Sequence, residues 1–101
     1  MNVNFKRPFV GFDKQPLLKK DGSEIQMYEE VCMHLYNADK LKGVPMTEEQ
    51  KYKSYNLCMR IAGNPSSAEI TTEEGTLIKC ICYEKMSSGA YGQIVDVIEN
   101  R

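Results

Sequence analysis

A chain of 101 residues, 42% hydrophobic and 27% charged, holds enough material for one core and not for two, so a single domain over 1–101 is expected. Its net charge of −1 excludes bulk attraction to nucleic acid or to an anionic membrane, leaving only local patches for such contacts. No run approaches the ~20 apolar residues that span a bilayer, and the first residues lack the apolar stretch of a secretion signal, so the expected setting is cytoplasmic.

Residues 1–26 read as an extended arm with turns. Pro8 and Pro16 forbid a continuous helix, Phe5, Phe9, Val10 and Phe12 favour a pleated surface, and Asp21-Gly22 is a strong turn signal. Leu17 to Lys20 can pair with Glu24 to Gln26 across that turn; alternatively Gly11 to Gln15 turns and Phe9-Val10 pairs with Leu17-Leu18. The arm is basic, with Lys6, Arg7, Lys14, Lys19 and Lys20 against Asp13 in residues 1–20, whereas 21–49 carry seven acids against Lys40 and Lys42. Nothing repeats at a fixed period.

From Met27 the period lengthens to that of a helix. Tyr28, Val31, Cys32 and Leu35 share one face of a first helix over Met27 to Tyr36, with Glu29 and Glu30 in the first turn, where the dipole favours acids. Gly43 and Pro45 separate it from a second helix, Thr47 to Ala62. That helix is opened by the capping box Thr47-x-x-Gln50, and its expected buried stripe is Tyr55, Cys58, Ile61 and Ala62, with Leu57 beside them. Gly63 and Pro65 end it. Glu69-Ile70 suits a short extended piece. Thr71-x-x-Glu74 opens a third helix to Met86, striped by Leu77, Ile78, Ile81 and Cys82. Ser87-Ser88-Gly89 breaks it, and a short last helix, Ala90 to Asn100, turns Ile94, Val95 and Ile98 inward. The expected fold class is α+β: an N-terminal β-hairpin arm (1–26) followed by a mostly helical core of three to four helices (27–101).

Catalytic and metal chemistry find little support in these patterns. The four cysteines, Cys32, Cys58, Cys80 and Cys82, all fall inside predicted helices, where a thiol acts as a small hydrophobe. Cys80-x-Cys82 points its sulfurs about 200° apart around the helix, unlike a zinc turn. His34, with Glu30 one turn before it, reads as a solvated helix histidine. The serines sit in turns and none in a nucleophile elbow, and Gly89-Ala90-Tyr91-Gly92 lacks the Lys-Ser/Thr of a phosphate loop. No catalytic residue, metal or cofactor is therefore assigned.

Binding features are more evident. Phe5-Lys6-Arg7-Pro8-Phe9 interleaves cations with aromatics, the pattern that grips phosphates or stacks on bases, which singles out Lys6, Arg7 and Phe9. Tyr52 and Tyr55 give the second helix more aromatic surface than its stripe needs, as at protein interfaces. Tyr83 and Tyr91 flank the Gly89 turn and suit a nucleotide. In a chain this small, another copy of itself is a further expected partner.

Three stretches together, Phe9 to Leu17 with Asp21-Gly22, the central helix with Lys51, Leu57 and Ile61, and Glu69-Ile70-Thr71-Thr72-Glu73-Glu74 through Leu77-Ile78-Lys79 to Gly92-Gln93-Ile94-Val95-Asp96, resemble a loose group of small proteins encoded by phages and prophages. The likeness spans almost the whole chain and carries no catalytic signature. It implies a small accessory protein of viral origin that acts by binding in the host cell. The leading expectation is a non-enzymatic inhibitor that binds or sequesters a host defence component, either a protein or a small signalling nucleotide. The alternatives are a virion assembly factor or tail chaperone, and a DNA-binding regulator using Lys51, Lys53 and Arg60, against which the near-neutral charge counts.

Overall fold

Capping and periodicity together produce four helices in a computed structural model that describes residues 1–101: α1 (Met27–Tyr36), α2 (Glu48–Gly63), α3 (Thr72–Lys85) and α4 (Ser88–Glu99). Both capping boxes form in full, Thr47 with Gln50 and Thr71 with Glu74, each side chain satisfying a main-chain donor of the other residue. Two small antiparallel sheets complete the α+β fold: β1 (Asn2–Val3) with β4 (Ala68–Glu69), and β2 (Lys40–Leu41) with β3 (Val44–Pro45). The extended piece expected at Glu69-Ile70 is thus the partner of the N-terminal strand. The second hairpin, absent from the sequence expectations, turns on Lys42 and Gly43, both at positive φ (51° and 78°).

One buried cluster joins all parts of the chain. It takes Val3, Phe5 and Phe9 from the N-terminal segment, Val31 and Leu35 from α1, Leu57, Cys58 and Ile61 from α2, Ile78, Ile81 and Cys82 from α3, and Ile94 and Ile98 from α4. The Cα radius of gyration, 13.2 Å, is what ~100 residues give when packed as one body, so residues 1–26 fold onto the helices and do not extend from them. Three stripe assignments change: on α4 it is Val97, and not Val95, that packs against the core beside Ile94 and Ile98. Tyr55 and Ala62 are exposed, and Ser54 takes the buried place on α2. Its hydroxyl donates to the Leu35 carbonyl at 2.7 Å, satisfying one of the acceptors left over at the end of α1. A small side chain there lets α1 and α2 approach while closing a buried polar group. Gly75 plays a similar part in α3, since a Cβ would stand 3.2 Å from Ile98 Cγ2.

Residues 7–27 form a head built almost wholly from main-chain bonds. Phe9 N–H donates to Ile25 O (2.8 Å), Ile25 N–H to Leu17 O (2.9 Å) and Leu17 N–H to Phe9 O (2.8 Å), closing a ring of three residues spaced eight apart. A second tier has the same spacing: Gly11 N–H to Gln15 O, Lys19 N–H to Ser23 O and Met27 N–H to Arg7 O. Both hairpin registers allowed by the sequence therefore occur at once, with bridges Val10 to Pro16 and Leu18 to Glu24, and a third bridge, Pro8 to Gln26, closes the figure. The eight-residue recurrence corrects the expectation that nothing repeats. It escapes the sequence because only the pairs Pro8/Pro16 and Asp13/Asp21 are identical at that spacing; each aspartate accepts from the main chain two residues on. The side-chain amide of Gln93 on α4 clamps the head, accepting from Val10 N–H and donating to Val10 O, both at 2.9 Å. The head in turn caps α1, which has no side-chain cap, through Met27 N–H to Arg7 O and Tyr28 N–H to Phe5 O.

Two phenylalanines three residues apart separate core from surface in this head. Phe9→Ala should cost about 3–5 kcal/mol in urea unfolding, as for a buried aromatic. Phe12→Ala should stay within about 0.5 kcal/mol of the parent.

Candidate functional site

Exposed aromatic and thioether side chains gather on the outer side of α1 and α2. Met33 and Tyr36, three apart on α1, and Tyr52, Tyr55 and Met59, spaced three and four apart on α2, each share a helix face. Tyr36 is 63% exposed, Tyr52 66% and Tyr55 45%. The rings are nevertheless in register with one another: Tyr52 and Tyr55 stack with centroids 6.4 Å apart and planes 18° from parallel, and Tyr36 leans on Tyr55 at 6.2 Å across the interhelical groove. Ring contacts of this kind fix side chains that lie in water. Cys32 and Cys58 join the same two helices, each thiol donating to the other residue's carbonyl, at 3.5 and 3.3 Å. Burial pushes the Cys32 thiol up to about 12, helped by the neighbouring Cys58, and burial alone pushes Cys82 up to about 12, so these sulfurs pack and do not ionise near neutral pH.

The structure brings Tyr52 and Tyr55 together as the sequence suggests and adds Tyr36, Met33 and Met59, which sequence reasoning missed. Their signal lay in the three- and four-residue spacing on the side of each helix away from Val31 and Leu35, or from Leu57 and Ile61.

The remaining sequence candidates lie in two other places. Tyr83 and Tyr91 meet edge to face at 5.5 Å on α3 and α4, beside an open groove of about 440 Å³ also lined by Lys42, Thr76, Lys79, Cys80 and the carboxylate of Glu84. Lys79 reaches Glu99 at 3.4 Å. Lys6 and Arg7 are exposed, but Phe9, only 3% exposed, is a core residue and offers no face for stacking, and Phe5 is fully buried. Val3, Phe5 and Phe9 turn inward, whereas Lys6 and Arg7, at a bend between the two phenylalanines, remain outside. On the other side of α2, Arg60 donates to both carboxylate oxygens of Glu74 at 2.8 Å and to Glu69 O at 3.2 Å, and Lys53 pairs with Glu49 at 3.2 Å, so neither cation stands unopposed.

His34 lines a shallow apolar recess with Phe9, Leu17, Ile25 and Met86. Burial holds its imidazole below the usual value; Lys85 adds to that and Glu30 opposes it. The unfolded chain then takes up a proton before the folded one, and stability falls as pH drops through the ordinary histidine range. Urea unfolding from pH 7.5 to 5 should show a steeper loss for the parent than for His34→Gln, and the two slopes should coincide above pH 7.5.

No helix is long and apolar enough to cross a membrane. No protein-family model, curated protein sequence or solved structure matches the chain.

Proposed function

We propose that this protein acts by binding: it is a small accessory protein of phage type that covers a surface of a host protein through Met33, Tyr36, Tyr52, Tyr55 and Met59, inhibiting or sequestering the component it meets. The observation carrying this reading is the set of three ring-to-ring tyrosines held in solvent on two packed helices. Tyrosine and methionine are enriched at interface centres, and a ring pinned by its neighbours loses little freedom when a partner arrives. A helix pair joined by a buried hydroxyl and two thiol contacts is a rigid base for such a surface.

A second reading, capture of a small signalling nucleotide, is favoured by the Tyr83–Tyr91 groove, where a base would lie on the Tyr83 ring with its phosphates near Lys42. A regulator bound to DNA through α2 is disfavoured by the carboxylates on Arg60 and Lys53.

Tagged protein and its Tyr36→Ser/Tyr55→Ser variant, incubated with host lysate, separate these readings. The parent should retain one host protein in near-stoichiometric amount, and the variant should retain at least tenfold less while melting at the same temperature. Equal retention by both, or none by either, removes the ridge as the binding surface. Recovery of virion components instead would point to an assembly role, and of the chain itself to a homo-oligomer. For the nucleotide reading, adenine nucleotides and cyclic dinucleotides at a hundred times the dissociation constant should stabilise the fold by about 2.7 kcal/mol, a shift any melt detects.

A further inference from the structure

The chain has three arginines, and the fold gives two of them a carboxylate: Arg60 meets Glu74 at 2.8 Å and Arg101 meets Glu99 at 3.1 Å. Arg7 has no carboxylate within ion-pair distance. Its main chain, by contrast, is fixed. Arg7 O accepts from Met27 N–H at 2.8 Å, Pro8 holds the residue before it to extended conformations, and two residues earlier Phe5 N–H donates to Pro65 O at 2.7 Å. A guanidinium carried on a fixed stem and unopposed within its own fold is open to an anion from outside.

Arg7 lines a recess of about 330 Å³ between the N-terminal segment, the Pro65–Ser67 turn and the end of α4, a size in the range of small-ligand sites. Its apolar side consists of the core residues Val3 and Ile98 with half-buried Val97. Met1 borders it too, but the Met1 amine is turned to Ile70 O (2.9 Å) and to Glu69 (3.2 Å). The polar side is made by Asn2, Asn4, Ser66 and Asn100. Asn4 Oδ1 accepts from Lys6 N–H at 2.9 Å, which leaves its amide nitrogen free to donate. No acidic side chain lines the recess, and Arg7 is the only charged side chain that does.

That set of groups selects a ligand. One guanidinium matches one carboxylate, two donors to two oxygens, whereas a phosphate dianion would leave a charge unmatched because Lys6 lies outside the recess. Asparagine and serine side chains both donate and accept, as a peptide bond requires. The apolar side suits an aliphatic group. A carboxylate, an amide and an aliphatic group joined at one carbon are the last residue of a peptide.

We propose that this recess is a carboxylate site that takes the C-terminal residue of a peptide, independently of the tyrosine ridge: the terminal carboxylate lies on the Arg7 guanidinium, an aliphatic last side chain rests on Val3, Val97 and Ile98, and the last peptide bond meets the asparagine amides. Capture of a terminal carboxylate is a recurrent mode of peptide recognition.

Titration of the isotopically labelled protein, followed by nuclear magnetic resonance, tests this. N-acetyl-leucine should shift the side-chain amides of Asn2, Asn4 and Asn100 saturably at millimolar concentration, the range expected of so small a ligand, and acetyl-alanyl-leucine should bind at least as tightly. N-acetyl-leucinamide, which lacks the carboxylate, should bind at least tenfold more weakly to the parent, as should N-acetyl-leucine to Arg7→Gln. Lys6→Gln, which removes the neighbouring cation outside the recess, should bind as the parent does. The Tyr36→Ser/Tyr55→Ser variant should also bind as the parent does, so failure of the ridge reading leaves this result intact. The proposal is overturned by shifts that do not saturate or that spread beyond the recess, by equal binding of acid and amide, by exclusion of acetyl-alanyl-leucine, by tighter binding of inorganic phosphate, or by equal losses in Arg7→Gln and Lys6→Gln.

Discussion

Main-chain hydrogen bonding that closes on itself without regular strands is the constraint on which this fold depends. Polar main-chain groups that leave water must find partners, and a segment interrupted by Pro8 and Pro16 cannot find them in a long ladder. The ring through Phe9, Leu17 and Ile25 solves this in three bonds, since each residue donates once and accepts once. Its carbonyl at Arg7 and the one at Phe5 then serve the first donors of α1, so the head completes the helix as well as itself. Loss of the ring would leave α1 with an uncapped start and expose Phe5 and Phe9, the side chains through which the N-terminal segment enters the core.

The helices were legible in the sequence for a local reason. Each capping box and apolar stripe lies within one or two turns of chain, and the observed helices fall within a few residues of the expected spans. What was not legible was non-local or was decided by close packing. Pairing of Asn2–Val3 with Ala68–Glu69 joins two-residue pieces from distant parts of the chain, too short to leave a period. The Lys40 to Pro45 hairpin uses Lys42 where asparagine usually announces such a turn. Ser54 displaced Tyr55 from the core because hydrophobicity ranks the larger side chain first, whereas the closest approach of two helices selects the smaller one that can also donate.

The same distinction runs through the surface. Phe9 and Tyr55 were both read as binding residues, yet one is core and the other exposed. A period of two from Val3 and Phe5 would turn Arg7 inward as well, and the bend at Arg7 is what leaves that cation outside while Phe9 is buried. Tyr55, one position along from buried Ser54 on α2, is turned about 100° around the helix and so stands outside. Aromatic residues in this chain thus divide by register, and what is left outside is concentrated: three tyrosines on α1 and α2, two on α3 and α4, and a lone phenylalanine at a turn.

The Gln93 clamp has a consequence for synthesis. Val10 finds its partner 83 positions later, on the last helix, and Phe5 donates to Pro65 only once the middle of the chain exists. On a ribosome adding about 5–20 residues per second, the head's greasy side chains emerge seconds before anything can cover them. A nascent chain of this design spends that interval with Phe5 and Phe9 available to chaperones. A fragment that stops short of α4 lacks the Gln93 amide that holds Val10 and the Ile94 and Ile98 side chains of the shared core, so the C-terminal helix is the last piece the head waits for.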